Sequence, residues 1–183
     1  SVTIPKSVTT IEDGAFNGCT GLTSITLPDS VTKIPAGCFQ GCSSLQEIKL
    51  GSQVTEIGDM AFALCTSLET FTFPETVTAV GLKLFFGCAK LREVTLPESL
   101  TTLGTQMFFS CPALESITIP ASVEDVGVMA FSGCTGLKEI VVADGNEYFT
   151  VHEGALFDKN LEVLYCYPAA QTETSYTVPD STL

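Results

Sequence analysis

Basic residues, histidine and tryptophan are scarce or absent in this chain. Among its 183 residues, 8 Lys and Arg stand against 21 Asp and Glu, and the formal net charge of -13 disfavours binding to nucleic acid and to anionic lipid surfaces. With 1 His and no Trp, the chain has no basis for a histidine-rich metal site. No apolar run approaches the roughly 18 residues of a membrane-spanning helix, so we expect no membrane insertion of this chain. Hydrophobic residues nevertheless make up 45% of the chain, which is enough to bury a substantial core.

Cysteine is unusually frequent, and six of the eight cysteines recur at a fixed interval of 23 residues. They are Cys19, Cys42, Cys65, Cys88, Cys111 and Cys134. A leucine column that begins at Leu22 and a phenylalanine column that begins at Phe16 keep the same interval. A period of this length predicts a solenoid, in which each coil buries its apolar side only by stacking on its neighbours.

Each repeat unit contains the pattern of two short strands and a compact turn. Ile25 and Leu27 alternate with polar residues and precede Pro28, which indicates a half-buried strand that ends at the proline. A second extended piece is expected at residues 31–34, and one or two tight helical turns at residues 35–41. The sequence therefore predicts an α/β repeat with a parallel β-sheet along one side and short helical turns.

The segments L-x-x-I-x-L-P, I-G-x-x-A-F and G-C of the unit resemble the BspA-like leucine-rich repeat family of bacterial and protist surface proteins. The resemblance covers residues 1–142 and implies a right-handed leucine-rich-repeat solenoid of about six coils. Residues 143–175 are similar to a variant, degenerate unit that interrupts such arrays, and residues 176–183 resemble the start of a further, truncated repeat. The resemblance alone implies a place on the cell surface or outside the cell, and a role in adhesion.

The two ends of the sequence have no polar caps. Residues 1–5 align with residues 24–28 after one residue of slippage at the start, so we expect the chain to begin within a strand. Because solenoids need caps to protect their terminal cores, we expect this chain to be a section of a longer array. Its open strands would allow end-to-end association.

The cysteine column favours neither disulfides nor a metal site. Equivalent residues on rungs about 4.8 Å apart point their Cβ atoms in parallel, whereas a disulfide needs them turned toward each other. Structural zinc needs two close pairs of ligands, which a 23-residue interval does not supply. We therefore expect no metal and no cofactor, and we interpret the column as reduced core residues beside the phenylalanines. Cys38 is expected in the core as well, while the redox state of Cys166 stays open.

The outward positions of the first strand form the candidate binding face. One column alternates hydroxyls with carboxylates, and its neighbours add threonines and basic residues. The face comprises Ser24, Thr26, Glu47, Lys49, Thr70, Thr72, Arg92, Glu93, Thr95, Ser116, Thr118 and Glu139. Beside it, Glu69, Arg92, Glu115 and Lys138 alternate in sign, which predicts cross-strand ion pairs worth under about 1 kcal/mol each. Such a face is either a ligand surface or the solvated side of a regular sheet.

Three classes of function remain compatible with the sequence. The first, which we favour, is a non-enzymatic module that binds a protein or glycan through the strand face and adjacent turns. The second is a passive spacer that displays another domain. The third is a glycan-cleaving enzyme with Glu75 and Glu98 as its acid pair. No catalytic residue is predicted, because the lone His152 lacks a nucleophile to activate. Residues 144–147 lack the spacing of a calcium loop and are expected to form a turn.

Overall fold

The structure is a computed structural model that describes residues 2–173 and 175–182, and these form a stack of coils followed by an antiparallel unit. Ser1, Thr174 and Leu183 lie outside the described residues, so the predicted boundaries at Ser1 and Leu183 rest on the sequence alone. We number the coils 1 to 6, each from the start of its first strand. They comprise residues 2–23, 24–46, 47–69, 70–92, 93–115 and 116–138.

Two series of parallel strands run along the stack. The long series consists of β1 (Val2–Thr3), β2 (Ser24–Thr26), β4 (Glu47–Lys49), β6 (Thr70–Thr72), β8 (Glu93–Thr95), β10 (Ser116–Ile119) and β12 (Glu139–Val142). The short series consists of β3 (Lys33–Ile34), β5 (Glu56–Ile57), β7 (Ala79–Val80), β9 (Thr102–Leu103) and β11 (Asp125–Val126). The predicted parallel sheet is confirmed. The slippage expected at the start is wrong, because Val2 pairs with Ile25 at the full repeat interval.

The helical turns predicted for residues 35–41 are wrong. No helix occurs among the described residues, and this segment forms consecutive tight turns. The N–H of Cys38 donates to the Pro35 carbonyl in its own coil, at 3.3 Å, whereas the N–H of Phe39 donates to Ala61 in the next coil, at 2.8 Å. A helix would direct every N–H along its own axis. Because the N–H groups of this segment donate alternately within their own coil and to the next coil, the segment forms turns that join neighbouring coils instead of a helix.

This turn ladder connects every neighbouring pair among the six coils. Its central bond runs from the N–H of a phenylalanine to a carbonyl one coil later, at 2.8–3.1 Å. The five such bonds join Phe16 to Cys38, Phe39 to Ala61, Phe62 to Leu84, Phe85 to Met107, and Phe108 to Ala130. The phenylalanine rings stack in the same order, with centroids 5.2–5.8 Å apart. Because burying one such ring contributes about 1.5–3 kcal/mol, this column is the centre of the core.

Two positions of each turn segment, four residues apart, have a left-handed backbone. Coils 1 and 2 use glycine there, at Gly14, Gly18, Gly37 and Gly41. The other coils place six non-glycine residues at these positions, with φ from 54° to 60°. These are Met60, Leu64, Lys83, Gln106, Ser110 and Met129. Since this conformation costs a non-glycine residue roughly 1–2 kcal/mol, the turn ladder holds these residues against their intrinsic preference.

The cysteine column lies beside the phenylalanine column, as predicted, and it adds hydrogen bonds. The thiols of Cys42, Cys65, Cys88, Cys111 and Cys134 each donate to the carbonyl of the phenylalanine one coil earlier, at 3.0–3.2 Å. All eight cysteines lie in the described part of the chain, and all are free. Cys38 is buried, and Cys166 is half-buried against the core.

The prediction that Cys19 is buried is wrong, because this residue is exposed. Each later thiol of the column is covered by the preceding coil and bonded to its phenylalanine carbonyl. Cys19 belongs to coil 1, and the described chain contains no earlier coil that could cover it.

The segment after coil 6 continues the core and then departs from the solenoid path. Asn146 forms part of the turn expected there, is 3% exposed, and its Nδ2 donates to the carbonyls of Pro120 and Val123, both at 2.9 Å. Its Oδ1 accepts the N–H of Phe149 at 2.8 Å. Three antiparallel strands follow, β13 (Phe149–His152), β14 (Ala155–Asp158) and β15 (Leu164–Cys166). One buried amide thus joins coil 6 to the antiparallel unit.

The left-handed position at Leu64 allows a direct test of the backbone cost. We expect Leu64→Gly to be about 1 kcal/mol more stable than Leu64→Ala, because both remove the side chain but only glycine adopts this φ without strain. Urea unfolding of both variants measures the difference. Equal stabilities would show that the backbone at this position is not strained.

Burial of the thiols makes the fold sensitive to alkaline pH. Desolvation raises the pKa of Cys65 from 9.0 to about 12 and that of Cys134 to about 11. The unfolded chain therefore loses these protons above pH 9, while the folded chain keeps them until about pH 11–12. Deprotonation therefore favours the unfolded chain: these thiols leave the free energy of unfolding unchanged below pH 9 and lower it by about 1.4 kcal/mol per pH unit and thiol from there up to the pKa of the folded state.

We accordingly expect the urea midpoint, measured in reducing buffer, to fall between pH 8 and about pH 10. A Cys88→Ala variant removes one buried thiol and should show a shallower decline, in proportion to the lost group. An identical pH dependence of variant and parent would contradict this origin.

Candidate binding face

The outward side of the long strands carries all twelve predicted face residues. The middle residue of each strand points inward, as with Ile25, which is 3% exposed, while the residues on either side point outward. Eleven of the twelve are exposed, and Ser24 is half-buried. Arg92 lies immediately before β8 rather than within it. The alternation of period 2 therefore predicted the outward direction of these residues.

The predicted ion pairs between rungs are present. Arg92 lies 3.3 Å from Glu69, and Lys138 lies 2.8 Å from Glu115. The hydrogen bond from Lys138 lowers the pKa of the Glu115 carboxyl. Lys49 instead pairs within its own strand, with Glu47 at 3.1 Å. All of these side chains are more than half exposed, so each pair contributes little to stability but positions its charges on the face.

Hydrogen bonding between the long strands is interrupted at two places. The bonded sets are β1-β2-β4, β6-β8 and β10-β12, and the described residues show no ladder between β4 and β6 or between β8 and β10. We call these two boundaries the open interfaces. At the bonded boundary between β6 and β8, the Glu69 carbonyl accepts the N–H groups of Arg92, at 2.9 Å, and Glu93, at 3.4 Å. The Glu115 carbonyl repeats this arrangement toward β12.

A groove lies over each open interface. Groove 1, between β4 and β6, has a volume of about 550 Å³, and groove 2, between β8 and β10, about 370 Å³. Polar residues of groove 1 are Glu47, Lys49, Ser52, Thr70 and Thr72. Those of groove 2, at the equivalent positions two coils later, are Glu93, Thr95, Glu98, Ser116 and Thr118. The buried Phe73 adds an apolar wall to groove 1.

Sequence reasoning missed Ser52 and Phe73 as groove residues and did not foresee the open interfaces. The alternation of Glu with Ser or Thr in one face column was the available signal. Each open interface follows a strand that begins with glutamate and precedes one that begins with a hydroxyl residue.

Of the two carboxylates considered as an acid pair, that of Glu75 is engaged in a structural contact. Glu75 Oε2 accepts the N–H of Glu98 one coil later, at 3.3 Å. Asp29 does the same for Ser52, accepting its N–H at 2.7 Å and its hydroxyl at 3.0 Å. The hydrogen bond from the Ser52 N–H contributes most to lowering the pKa of the Asp29 carboxyl. Acidic residues after the prolyl position thus connect successive turns.

The side of the short strands carries a groove as well. A third groove, of about 490 Å³, lies on the short-strand side, where Lys33 and Glu56 pair at 2.7 Å. Within residues 2–173 and 175–182, no group of three or more His, Cys, Asp and Glu side chains has the arrangement of a metal site. The same residues include no helix that could cross a membrane.

Comparison with known proteins identifies the repeat. The family model for the BspA type leucine rich repeat region, in 6 copies, matches residues 1–114 and 55–166. A comparison with curated proteins gave no match.

Several solved bacterial structures share the fold. The pneumococcal vaccine antigen PcpA is 31% identical with a TM-score of 0.85, over 98% of this chain and 49% of its own. The leucine-rich repeat protein of T. pallidum is 32% identical with a TM-score of 0.73, over 76% of this chain and 68% of its own. A leucine-rich cell surface protein from Faecalibacterium prausnitzii is 29% identical with a TM-score of 0.75, over 98% of this chain and 57% of its own. The chain thus spans about half the length of the pneumococcal protein. The repeat, the fold and these matches show that the chain belongs to the BspA type leucine-rich repeat family.

Proposed function

We propose that this chain is a non-enzymatic interaction module that binds a protein or glycan through the face of its long strands and the adjacent turns. The observation that carries the proposal is the pair of grooves on this face, which repeat one glutamate and two hydroxyl side chains at equivalent positions two coils apart. A surface of this kind, held by a continuous turn ladder, offers several contacts in fixed positions. Pre-organisation of this kind lowers the entropy cost of binding.

A location on the cell surface or outside the cell is part of this proposal. Its support is the family and the relatives, one of which is described as a cell surface protein and another as a vaccine antigen. The acidic composition supports a partner other than nucleic acid, because phosphate groups would be repelled.

Neutralising the charges of the strand face tests the proposal. We expect Glu47→Gln, Lys49→Gln, Arg92→Gln and Glu93→Gln, combined, to weaken binding at least about tenfold, since several desolvated polar contacts of about 0.5–1.5 kcal/mol are lost together. The probes are immobilised extracellular matrix proteins and polysaccharides, and biolayer interferometry measures the dissociation constant of the labelled chain.

The matched control is Lys33→Gln with Glu56→Gln, which neutralises one ion pair on the short-strand side. This control should bind like the parent. Unchanged binding of the face variant would place the site elsewhere. If the parent bound none of the probes, the passive spacer would be favoured instead, and release of sugar products from the polysaccharides would favour the enzyme.

A further inference from the structure

The long strands are organised in pairs of coils. Each bonded boundary from β2 onward joins a strand that begins with Ser or Thr to one that begins with Glu: β2 to β4, β6 to β8, and β10 to β12. Both open interfaces have the reverse order. The structure therefore has a period of two coils on this face, twice the period of the sequence repeat.

Several charged contacts follow the same two-coil period. The ion pairs of Arg92 with Glu69 and of Lys138 with Glu115 both cross bonded boundaries. The carboxylate contacts of Asp29 and Glu75 cross bonded boundaries as well. At the open interface of groove 1, Phe71 and Phe73 occupy positions that hold Ile48 and Leu50 one coil earlier. Their larger rings pack on Phe85, with centroids 4.9 Å and 6.0 Å away.

At the open interfaces of the described chain, the main-chain groups of the strand edges lack the ladder partners that such groups have at the bonded boundaries. Among the described residues, no strand pairing joins the facing edges of β4 and β6, or those of β8 and β10, so the main-chain groups of these edges lie outside any strand ladder. These main-chain groups lie beside a carboxylate, Glu47 or Glu93, and the hydroxyls of the following strand. A ligand with many hydroxyl groups satisfies such a mixture best, because each hydroxyl both donates and accepts.

The charge of the grooves distinguishes between kinds of glycan. Groove 1 has Lys49 beside Glu47, while groove 2 has two carboxylates, Glu93 and Glu98, and no basic residue. In a chain with a net charge of -13, an acidic glycan would be repelled from groove 2. An uncharged glycan meets no such penalty.

The regular distance between the grooves suits a ligand with repeating units. Equivalent residues of the two grooves are two rungs apart, which corresponds to about 10 Å. We propose, as a refinement that rests on the proposed function, that grooves 1 and 2 are two equivalent subsites for one uncharged polysaccharide chain that runs along the stack. The main-chain edges and glutamates accept hydrogen bonds from successive sugar units, and each groove holds one repeat of the polymer.

Oligosaccharides of increasing length test this refinement. With a series of neutral, β-linked glucose and N-acetylglucosamine oligomers, we expect affinity to rise by about 100-fold once the chain spans both grooves, since the second contact is intramolecular. Isothermal titration calorimetry provides the dissociation constants. Acidic oligomers of uronic acids should bind at least about tenfold more weakly than neutral ones of equal length.

Variants in one groove provide the decisive comparison. Glu93→Gln with Ser116→Ala should reduce the long oligomer to the affinity of a short one, and leave short oligomers bound in groove 1. Glu47→Gln with Thr70→Val should have the reciprocal effect. Glu56→Gln, a matched loss of one carboxylate on the short-strand side, should change neither, and thermal unfolding of every variant confirms that the fold is intact.

Three results would overturn the two-groove refinement. They are equal affinity for short and long neutral oligomers, stronger binding of acidic ones, and no binding of either while the strand-face variant still weakens attachment to a matrix protein. The last result would leave the proposed function standing with a protein partner. Loss of all binding to proteins and polysaccharides alike would contradict both proposals.

Discussion

The hydrogen bond from each phenylalanine N–H to the next coil is the constraint on which this structure depends. It recurs between every neighbouring pair among the six coils, whereas both strand ladders are interrupted. Because neighbouring N–H groups in the turn alternate between their own coil and the next one, the segment cannot become a helix, and two of its residues adopt left-handed backbone. The turn ladder therefore fixes the register of the stack, and the strands are free to separate locally without shifting it.

The cysteine column is bonded to the phenylalanine residues of this ladder. The phenylalanine carbonyl accepts the N–H of the cysteine three residues later, as for Cys88 on Phe85 at 3.1 Å. It also accepts a thiol from the next coil, as for Cys111 at 3.1 Å. A thiol is small enough for the packed column and still donates, weakly, to a buried oxygen. Alanine would leave this second acceptor site of the carbonyl empty, and a larger residue would push the coils apart.

Much of this organisation could be predicted from the sequence, because side-chain spacing records which residues are stacked. The 23-residue interval located the core columns, the outward face and the charge pairs. It could not distinguish a helical turn from consecutive tight turns, since Met60 and Leu64 adopt a backbone that their residue types do not indicate. The exposure of Cys19 and the bonding of Asn146 depend on neighbours at the ends of the stack, where the repeat no longer describes the environment. The open interfaces follow the alternation of Glu with Ser or Thr at the first position of the long strands, but this column alone does not indicate that strand pairing is lost there.

From coil 3 to coil 6, the two strand series are interrupted at alternate boundaries. The long strands separate between coils 3 and 4 and between coils 5 and 6, where the short strands β5 and β7, and β9 and β11, remain bonded. Between coils 4 and 5 the arrangement is reversed, because β6 and β8 are bonded and β7 and β9 are not. At each of these three boundaries, one strand series is paired where the other is interrupted. A groove made in this way needs only its two adjacent coils, since each coil of a solenoid contacts only its neighbours.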